Sequence, residues 1–425
     1  MTVFVFAGSL VGAMMLGMPI AFALIVCGLA LMLFMGNFDA QIVAQNLVSG
    51  ADSFPLLAVP FFLLAGELMN QGGMSRRIVN AAMAWVGHLR GGLGYVAVAA
   101  SIMMASISGS AIADTAAIAA LLIPMMRSAG YNIPRSTGLI AAGGIIAPVI
   151  PPSVGLVLFG VAGGVSITKL FIAGIVPGVM LGLALAATWF VIARRDKVRV
   201  TPKMPMAQRL RVTVDGFWAF VLPVIIVGGL KFGVFTPTEA AVVAAAYAFV
   251  IGKFVYRELA WSNLYGVMLS AAKTTAVVMF MVAAALVSAW LIALADIPAQ
   301  VTEIMRPFMG SPTLLMFALM LLVVIVGTAL DFAPTILILT PVLMPMVKEA
   351  GIDPVYFGVL FVINNAIGLI TPPVGTVLNV ASGVARVPMG DVIKGVMPFM
   401  IAQLIVLFLL VLFPQLVLLP LQWLH

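Results

Sequence analysis

Charge is the scarcest commodity in this chain, and that scarcity limits the folds open to it. Only 8% of the 425 residues are charged, residues 1–38 hold no charged side chain, and the first Lys or Arg is Arg76. A soluble chain carries about 25% charged residues, which argues against a soluble enzyme and against a nucleic-acid partner. At 64% hydrophobic, the chain can supply at most ~13 membrane spans of ~20 residues each. Its one cysteine, Cys27, cannot make an internal disulfide. The net charge of +7 reads as Lys and Arg gathered in cytoplasmic loops beside a lipid bilayer. The uncharged start lacks the basic region of a secretory signal peptide and reads as membrane.

The cations that do occur organise the middle. Arg194, Arg195, Lys197, Arg199, Lys203, Arg209 and Arg211 are seven of the 21 Lys and Arg residues. The positive-inside rule makes residues 194–215 a cytoplasmic linker between halves 1–193 and 216–425. Arg76, Arg77 and Arg90 bracket an amphipathic stretch, Ile78–Leu89, suited to the inner interface. Lys253, Arg257, Arg386 and Lys394 also fit inside, whereas the loops Asn37–Asp39 and Asp296–Glu303 fit outside; Arg306 fits least well. Spans are expected at 3–17, 18–35, 55–72, 134–163 and 169–193, then 216–233, 237–256, 263–293, 354–385 and 395–420. Each half then crosses five times, in opposite orientations, with both termini outside.

Two apolar segments do not fit as simple spans. Tyr95–Met126 is interrupted at Ser106-Ile107-Ser108-Gly109-Ser110, and Pro312–Val347 at Gly327-Thr328-Ala329-Leu330-Asp331. Each is long enough for two half-helices, giving re-entrant hairpins at about 94–127 and 311–348. Such backbone is tolerated at membrane depth only where protein or a wet cavity satisfies it.

The interruptions belong to a repeat with an offset near 220 residues. Ser108-Gly109-Ser110-Ala111 returns as Val326-Gly327-Thr328-Ala329, and Pro124-Met125-Met126 as Pro345-Met346-Val347. Pro148-Val149-Ile150-Pro151-Pro152-Ser153-Val154-Gly155 is answered by Leu369-Ile370-Thr371-Pro372-Pro373-Val374-Gly375, and Gly17-Met18-Pro19-Ile20-Ala21 by Phe235-Thr236-Pro237-Thr238-Glu239. Four matches in one order make a repeat where a single one would not. Oppositely oriented repeats with interrupted helices point to a secondary transporter whose site lies at the midplane.

Paired prolines remove two amide donors and obstruct the helix, leaving carbonyls near Ile146–Pro151 and Gly368–Pro373 without helical partners. Oxygen-rich unwound backbone suits Na⁺, and the tips add hydroxyls from Ser106, Ser108, Ser110 and Thr328. Two sodium sites are expected, each shared by a tip and the Pro-Pro break of its own half. Small-residue helix packing is the structural alternative for the serine-rich tip.

Membrane-buried acids are functional hypotheses by default. Asp331 and Asp114 could compensate bound sodium, or cap the second half-helix of each hairpin. Glu239, in Thr236-Pro237-Thr238-Glu239, reads as a capping box with proline at the first helical position. Lys273 could attract an anion, pair with an acid or snorkel; Asn364 and Asn365 suit substrate contact or helix packing. His88 and His425 offer little for a metal centre, and the 28 methionines read as filler. No hydrolase pair or Walker lysine is present.

With these residues in view, the sequence resembles the large membrane subunit of tripartite ATP-independent periplasmic (TRAP) transporters. The likeness rests on Ser108-Gly109-Ser110-Ala111-Ile112-Ala113-Asp114-Thr115, Phe235-Thr236-Pro237-Thr238-Glu239-Ala240-Ala241 and Leu369-Ile370-Thr371-Pro372-Pro373-Val374-Gly375, and spans nearly the whole chain. It implies an all-α polytopic fold with a scaffold and an elevator-like transport domain in a bacterial inner membrane. It also implies Na⁺-driven import of an organic anion, commonly a C4-dicarboxylate or sialic acid. The implied partners are a small four-helix membrane subunit, expected here as a separate chain, and a periplasmic substrate-binding protein. Carried onto this chain, Ser106, Ser108, Gly109, Gly327, Thr328 and Asp331 are implied sodium ligands. Ile146, Pro148 and Ile150 join the first set, and Gly368, Thr371 and Val374 the second, from the two breaks. Candidate substrate contacts are Ser110, Asp114, Ser153, Asn364, Asn365 and Lys273; Ser153 has no counterpart in the second half. A stand-alone Na⁺/anion symporter of this fold and an anion channel remain the rival readings.

Overall fold

The structure is a computed structural model that describes residues 1–196 and 202–423. Lys197 and Arg199 of the basic linker therefore lie outside the described residues. Among those described, every regular element is helical. Seven helices are long and apolar enough to cross a membrane, or eight if the bent pair at Met206–Asp215 and Phe217–Lys231 counts as one span.

The first half opens with α1 (Thr2–Met15) and α2 (Ile20–Met35), parted by Gly17 at φ +79°. Next comes α3 (Ala40–Ala51), started by the Asp39 carboxylate, which accepts from the Gln41 and Ile42 amides. Then follow α4 (Ala58–Gln71) and α5 (Met74–Val86), and the hairpin of α6 (Gly92–Ser108) and α7 (Ala111–Ser128). The half closes with α8 (Ile133–Gly144) and α9 (Val154–Gly163), separated by the first Pro-Pro break, and with α10 (Ile167–Arg195).

The second half begins with α11 (Met206–Asp215), α12 (Phe217–Lys231) and α13 (Pro237–Val250), which runs on as π-helix through Val255. The expected capping box starts α13: the Thr236 amide donates to Glu239, and the Glu239 amide to the Thr236 hydroxyl. Then come α14 (Trp261–Leu294), α15 (Ile297–Met305), the hairpin α16 (Pro312–Ala329) and α17 (Phe332–Glu349), the broken pair α18 (Pro354–Gly368) and α19 (Thr376–Ala385), α20 (Met389–Leu412) and α21 (Gln415–Trp423).

Two features depart from the expected spans. Helix α15 occupies a stretch read as an outside loop, and α3 follows the outside loop Asn37–Asp39 where no span was expected. The expected crossing 395–420 stops at Leu412 and resumes at Gln415, because Pro414 drives Phe413 out of the helical region, to φ −124° and ψ 74°. Arg306, awkward by charge placement, pairs with Glu303 at 3.1 Å.

The two sequence halves interlock rather than stand apart. Helices α4 and α13 pack together, and α14 covers α2, α3 and α4. A second group joins α7 and α8 to α19 and α20, with α9 against α17 and α16 against α18. Glycines allow the closest approach: a Cβ at Gly138 would lie 2.5 Å from the Gly395 carbonyl carbon. The Gln403 amide donates to the Ala142 carbonyl at 2.8 Å, tying α20 to α8. Arg76 and Arg77 share Glu258 at 2.7 and 2.6 Å. Arg77 also pairs with Asp215 at 3.1 Å.

Candidate functional site

Both expected tips are real breaks. In the first hairpin α6 ends at Ser108, Gly109 turns the chain at φ +62°, and Ser110 caps α7 by accepting from the Ala113 amide at 3.4 Å. The Ser108 hydroxyl donates to Asp114 Oδ1 at 2.5 Å and accepts from the Ser110 amide at 3.2 Å. Asp114 is fully buried, and its Oδ2 has no partner. Asp114 is therefore a buttress beneath the tip rather than a cap or a wall of an open cavity. The Ser106 hydroxyl turns back to the Met103 carbonyl at 2.6 Å.

This tip rests on the first Pro-Pro break. A Cβ on Gly109 would lie 2.5 Å from the Pro152 carbonyl oxygen and 3.4 Å from Ser153 Cα, so only glycine permits the seat. The break is folded on itself. The Ile146 carbonyl accepts from the Val149 and Ile150 amides, and the Pro148 carbonyl from the Ser153 hydroxyl. Ser153 is fully buried and caps α9 through the Leu156 amide at 3.0 Å. Its hydroxyl is thus engaged inside the protein, with the Pro148 carbonyl and the Leu156 amide.

The second hairpin bends at Leu330 and Asp331. Asp331 heads α17 but its carboxylate caps no amide; Oδ1 accepts from the Thr376 hydroxyl at 3.4 Å, across to the start of α19. A Cβ on Gly368 would lie 2.9 Å from the Gly327 carbonyl oxygen, so this tip too rests on its own half's broken helix. The Thr328 and Thr371 hydroxyls turn back to the Ile325 and Ile367 carbonyls at 2.7 and 2.8 Å. The Gly368 carbonyl accepts from the Thr371 amide at 3.0 Å, and the Val374 carbonyl from Asn379 at 3.0 Å. Turns thus satisfy carbonyls expected to be partnerless, as buried backbone generally requires, although each oxygen keeps a second lone pair.

The two centres meet. A Cβ on Gly155, just beyond the first break, would lie 2.5 Å from the ring of Phe332, just beyond the second tip. Asn365 donates to the Phe332 carbonyl at 2.6 Å, while Asn364 donates to the Met320 carbonyl at 2.6 Å. Both asparagines are buried and clamp the second hairpin onto α18. Lys273 is exposed on α14 and does not line the cavity at the first tip.

That cavity, of about 300 Å³, lies between the first tip and the pair α4 and α14, and holds Glu67, Asn70, Ser108, Ser110 and Thr274 in its wall. Glu67 was not singled out by sequence reasoning. The signal was available: it is the one charged residue of an otherwise uncharged span, the circumstance that flags a functional acid.

Residues 7–416 match the family described as "Tripartite ATP-independent periplasmic transporter, DctM component". The chain belongs to this family. It is 55% identical over 425 residues to the 2,3-diketo-L-gulonate TRAP transporter large permease protein of Escherichia coli (strain K12), covering 100% of both chains. It is 38% identical over 408 residues to the sialic acid TRAP transporter large permease protein of Vibrio cholerae, with 96% of each chain covered. It is 37% identical over 382 residues to the C4-dicarboxylate TRAP transporter large permease protein of Pseudomonas aeruginosa, with 90% of each covered. Among solved structures, the YdaH transporter of Alcanivorax borkumensis superposes with a TM-score of 0.61 at 14% identity, over 88% of this chain and 89% of that one; this likeness shows the fold. As a TRAP large permease, the chain is a transport subunit and not an enzyme, and as a polytopic bacterial membrane protein it is consistent with the inner membrane.

Proposed function

We propose that this subunit imports an organic carboxylate, of the sialic acid or C4-dicarboxylate type, by coupling it to Na⁺ entry. The substrate is delivered by a periplasmic binding protein, and a small four-helix membrane subunit completes the scaffold. The reading is supported by relatives named for 2,3-diketo-L-gulonate, sialic acid and C4-dicarboxylate. One observation carries the mechanism: both interrupted hairpins rest on broken helices of their own half, and the two assemblies touch at Gly155 and Phe332.

In this mechanism each tip and its break form one oxygen-lined sodium site. The first draws on Ser106, Ser108, Gly109, Ile146, Pro148 and Ile150, and the second on Gly327, Thr328, Asp331, Gly368, Thr371 and Val374. Sodium neutralises oxygen dipoles crowded at the tips and offers the substrate carboxylate a positive field, aided by the N-terminus of α7. Inward and outward states then differ in affinity for the loaded pair, and that difference sets direction. The hairpins and broken helices move as a body against α2–α4, α13 and α14.

The test is uptake into proteoliposomes with the small subunit present and the binding protein added, under an imposed sodium gradient. Concentrative uptake of an organic acid that disappears without Na⁺ is expected; gradient-independent equilibration would make the protein a channel. Asp331→Ala should abolish sodium-dependent uptake while leaving assembly with the small subunit intact, and full retained uptake would remove Asp331 from the mechanism.

A further inference from the structure

We propose that the corner where α11 packs on α5 binds the headgroup of an anionic phospholipid. Arg209 takes the phosphate, and the exposed apolar stripe of α11 lies among the acyl chains. The inference goes beyond the import reading and does not depend on it.

Arg209 is only 6% exposed, yet among the described residues it makes no ion pair. Its Nη2 lies 3.5 Å from His88 Nδ1, and its guanidinium carbon 6.0 Å from the centre of the Trp85 ring. Its Nε is buried with no partner. A buried cation without a counter-charge is costly, and the acids at hand are committed elsewhere. Asp215, on the same helix, and Glu258 hold Arg77, while Asp196, just beyond α10, holds Arg135 at 2.6 Å. The linker sequence brings no relief: residues 197–205 contain Lys197, Arg199 and Lys203 and no acid. Further cations border the corner. A Cβ on Gly91 would lie 2.5 Å from Ala193 Cβ, so the turn that carries His88 and Arg90 sits against the end of α10 that carries Arg194 and Arg195. The missing counter-charge has to come from outside the chain.

The surface beside Arg209 says what brings it. Met206, Leu210 and Val214 recur every fourth residue of α11 and are all exposed, a spacing that lines one helix face. The Trp85 indole N–H donates to the Thr213 hydroxyl at 2.9 Å, tying α5 to α11, and the ring itself is partly exposed. Tryptophan favours the headgroup level of a bilayer. Helix α11 is bent 54° from the apolar α12, so it turns off the line of that span, as an interfacial helix does. An unpaired guanidinium beside an apolar stripe complements one molecule with an anionic head on hydrocarbon tails. The planar guanidinium suits phosphate, and basic pockets at the cytoplasmic surface take anionic headgroups. The positive-inside rule assigns this linker to that leaflet.

The experiment is thermal unfolding of the full-length protein in neutral detergent micelles. Equal amounts of phosphatidylglycerol or phosphatidylcholine are added, or glycerol 1-phosphate in place of a lipid. Phosphatidylglycerol should raise the midpoint by about 3 °C or more above phosphatidylcholine, and glycerol 1-phosphate should not. Three variants that each lower the net charge equally separate a built site from a merely basic surface. Arg209→Gln and Leu210→Glu should lose most of the increment, whereas Arg211→Gln, at an exposed position of the same helix, should keep it. Equal midpoints with the two lipids in wild type would overturn the inference. The same loss in all three variants would reduce the effect to diffuse attraction and overturn it too. An increment reproduced by glycerol 1-phosphate would make this a site for soluble phosphates and end the lipid assignment. Leu210 is exposed, so if Arg209→Gln fails to fold, the comparison of Leu210→Glu with Arg211→Gln still decides.

Discussion

The two tip-and-break assemblies descend from one sequence pattern, yet they differ in how much of themselves they show. In the first, Ser108, Gly109, Asp114, Pro151, Pro152 and Ser153 are all buried. In the second, Asp331, Thr371 and Pro372 are half-buried, Pro373 is exposed, and Val374 is 39% exposed. Their acids diverge in the same sense. Asp114 lies under the tip with its carboxylate bonded to Ser108, whereas the half-buried Asp331 carboxylate accepts from Thr376 across to α19. The paired segments share a geometry and differ in chemistry: the Pro-Pro break of the first is buried, and that of the second is open at its edge. Helix capping follows suit, since Ser153 caps α9 with its side chain while α19 begins at Gly375, which has none.

That contrast can be broken most directly at the glycines. Gly109→Ala puts a Cβ 2.5 Å from the Pro152 carbonyl oxygen at φ +62°. Left-handed backbone and overpacking together should destabilise the protein by about 2–5 kcal/mol. Gly327→Ala, whose Cβ would meet nothing closer than 3.6 Å, should stay within about 1 kcal/mol of wild type. Thermal unfolding in detergent ranks the two, and equal losses would end the claim that the copies are packed differently.

A smaller effect is expected from the hydroxyls that hold the two acids. Ser108→Ala strips the fully buried Asp114 carboxylate of its bond to Ser108 and should cost about 1–3 kcal/mol. Thr376→Ala removes a 3.4 Å bond at a half-buried edge and should cost less than about 1 kcal/mol. The same thermal scans compare them. The mildest probe is chemical: in a Cys27→Ser background, a cysteine at Val374 should react with a polar maleimide, and one at fully buried Ser153 should not. Labelling of both at similar rates would erase the distinction between sealed and open.

Much of this fold could be read in the chain because its breaks are written in residues with few alternatives. Gly109 permits a turn at φ +62°, the pairs Pro151-Pro152 and Pro372-Pro373 each remove two successive amide donors, and the structure interrupts the helices there. The capping box at Thr236 and Glu239 was legible for the same reason. Helices α3 and α15 were not, because short, partly polar helices give too weak a periodicity to separate from loops. The site was legible as a set of positions and much less as a set of roles. From type alone Ser153 read as a substrate contact and Asn364 as either a substrate contact or a packing residue; the partners they have here, the Pro148 and Met320 carbonyls, come from packing that no local pattern records. Glu67 shows the converse: its wall is assembled from α4, α7 and α14, so its meaning appears only when those three helices are brought together.

Gly144 of α8 faces the Thr115 side chain of α7 so closely that any Cβ would collide with its hydroxyl. Two surfaces meshed at that separation cannot slide past one another, and prying them apart would open a void that nothing nearby could fill. The kinked rod and the turnback beside it therefore pack as a single piece. In the import cycle proposed above, the floor and the roof of the first pocket would travel together, as luggage already packed.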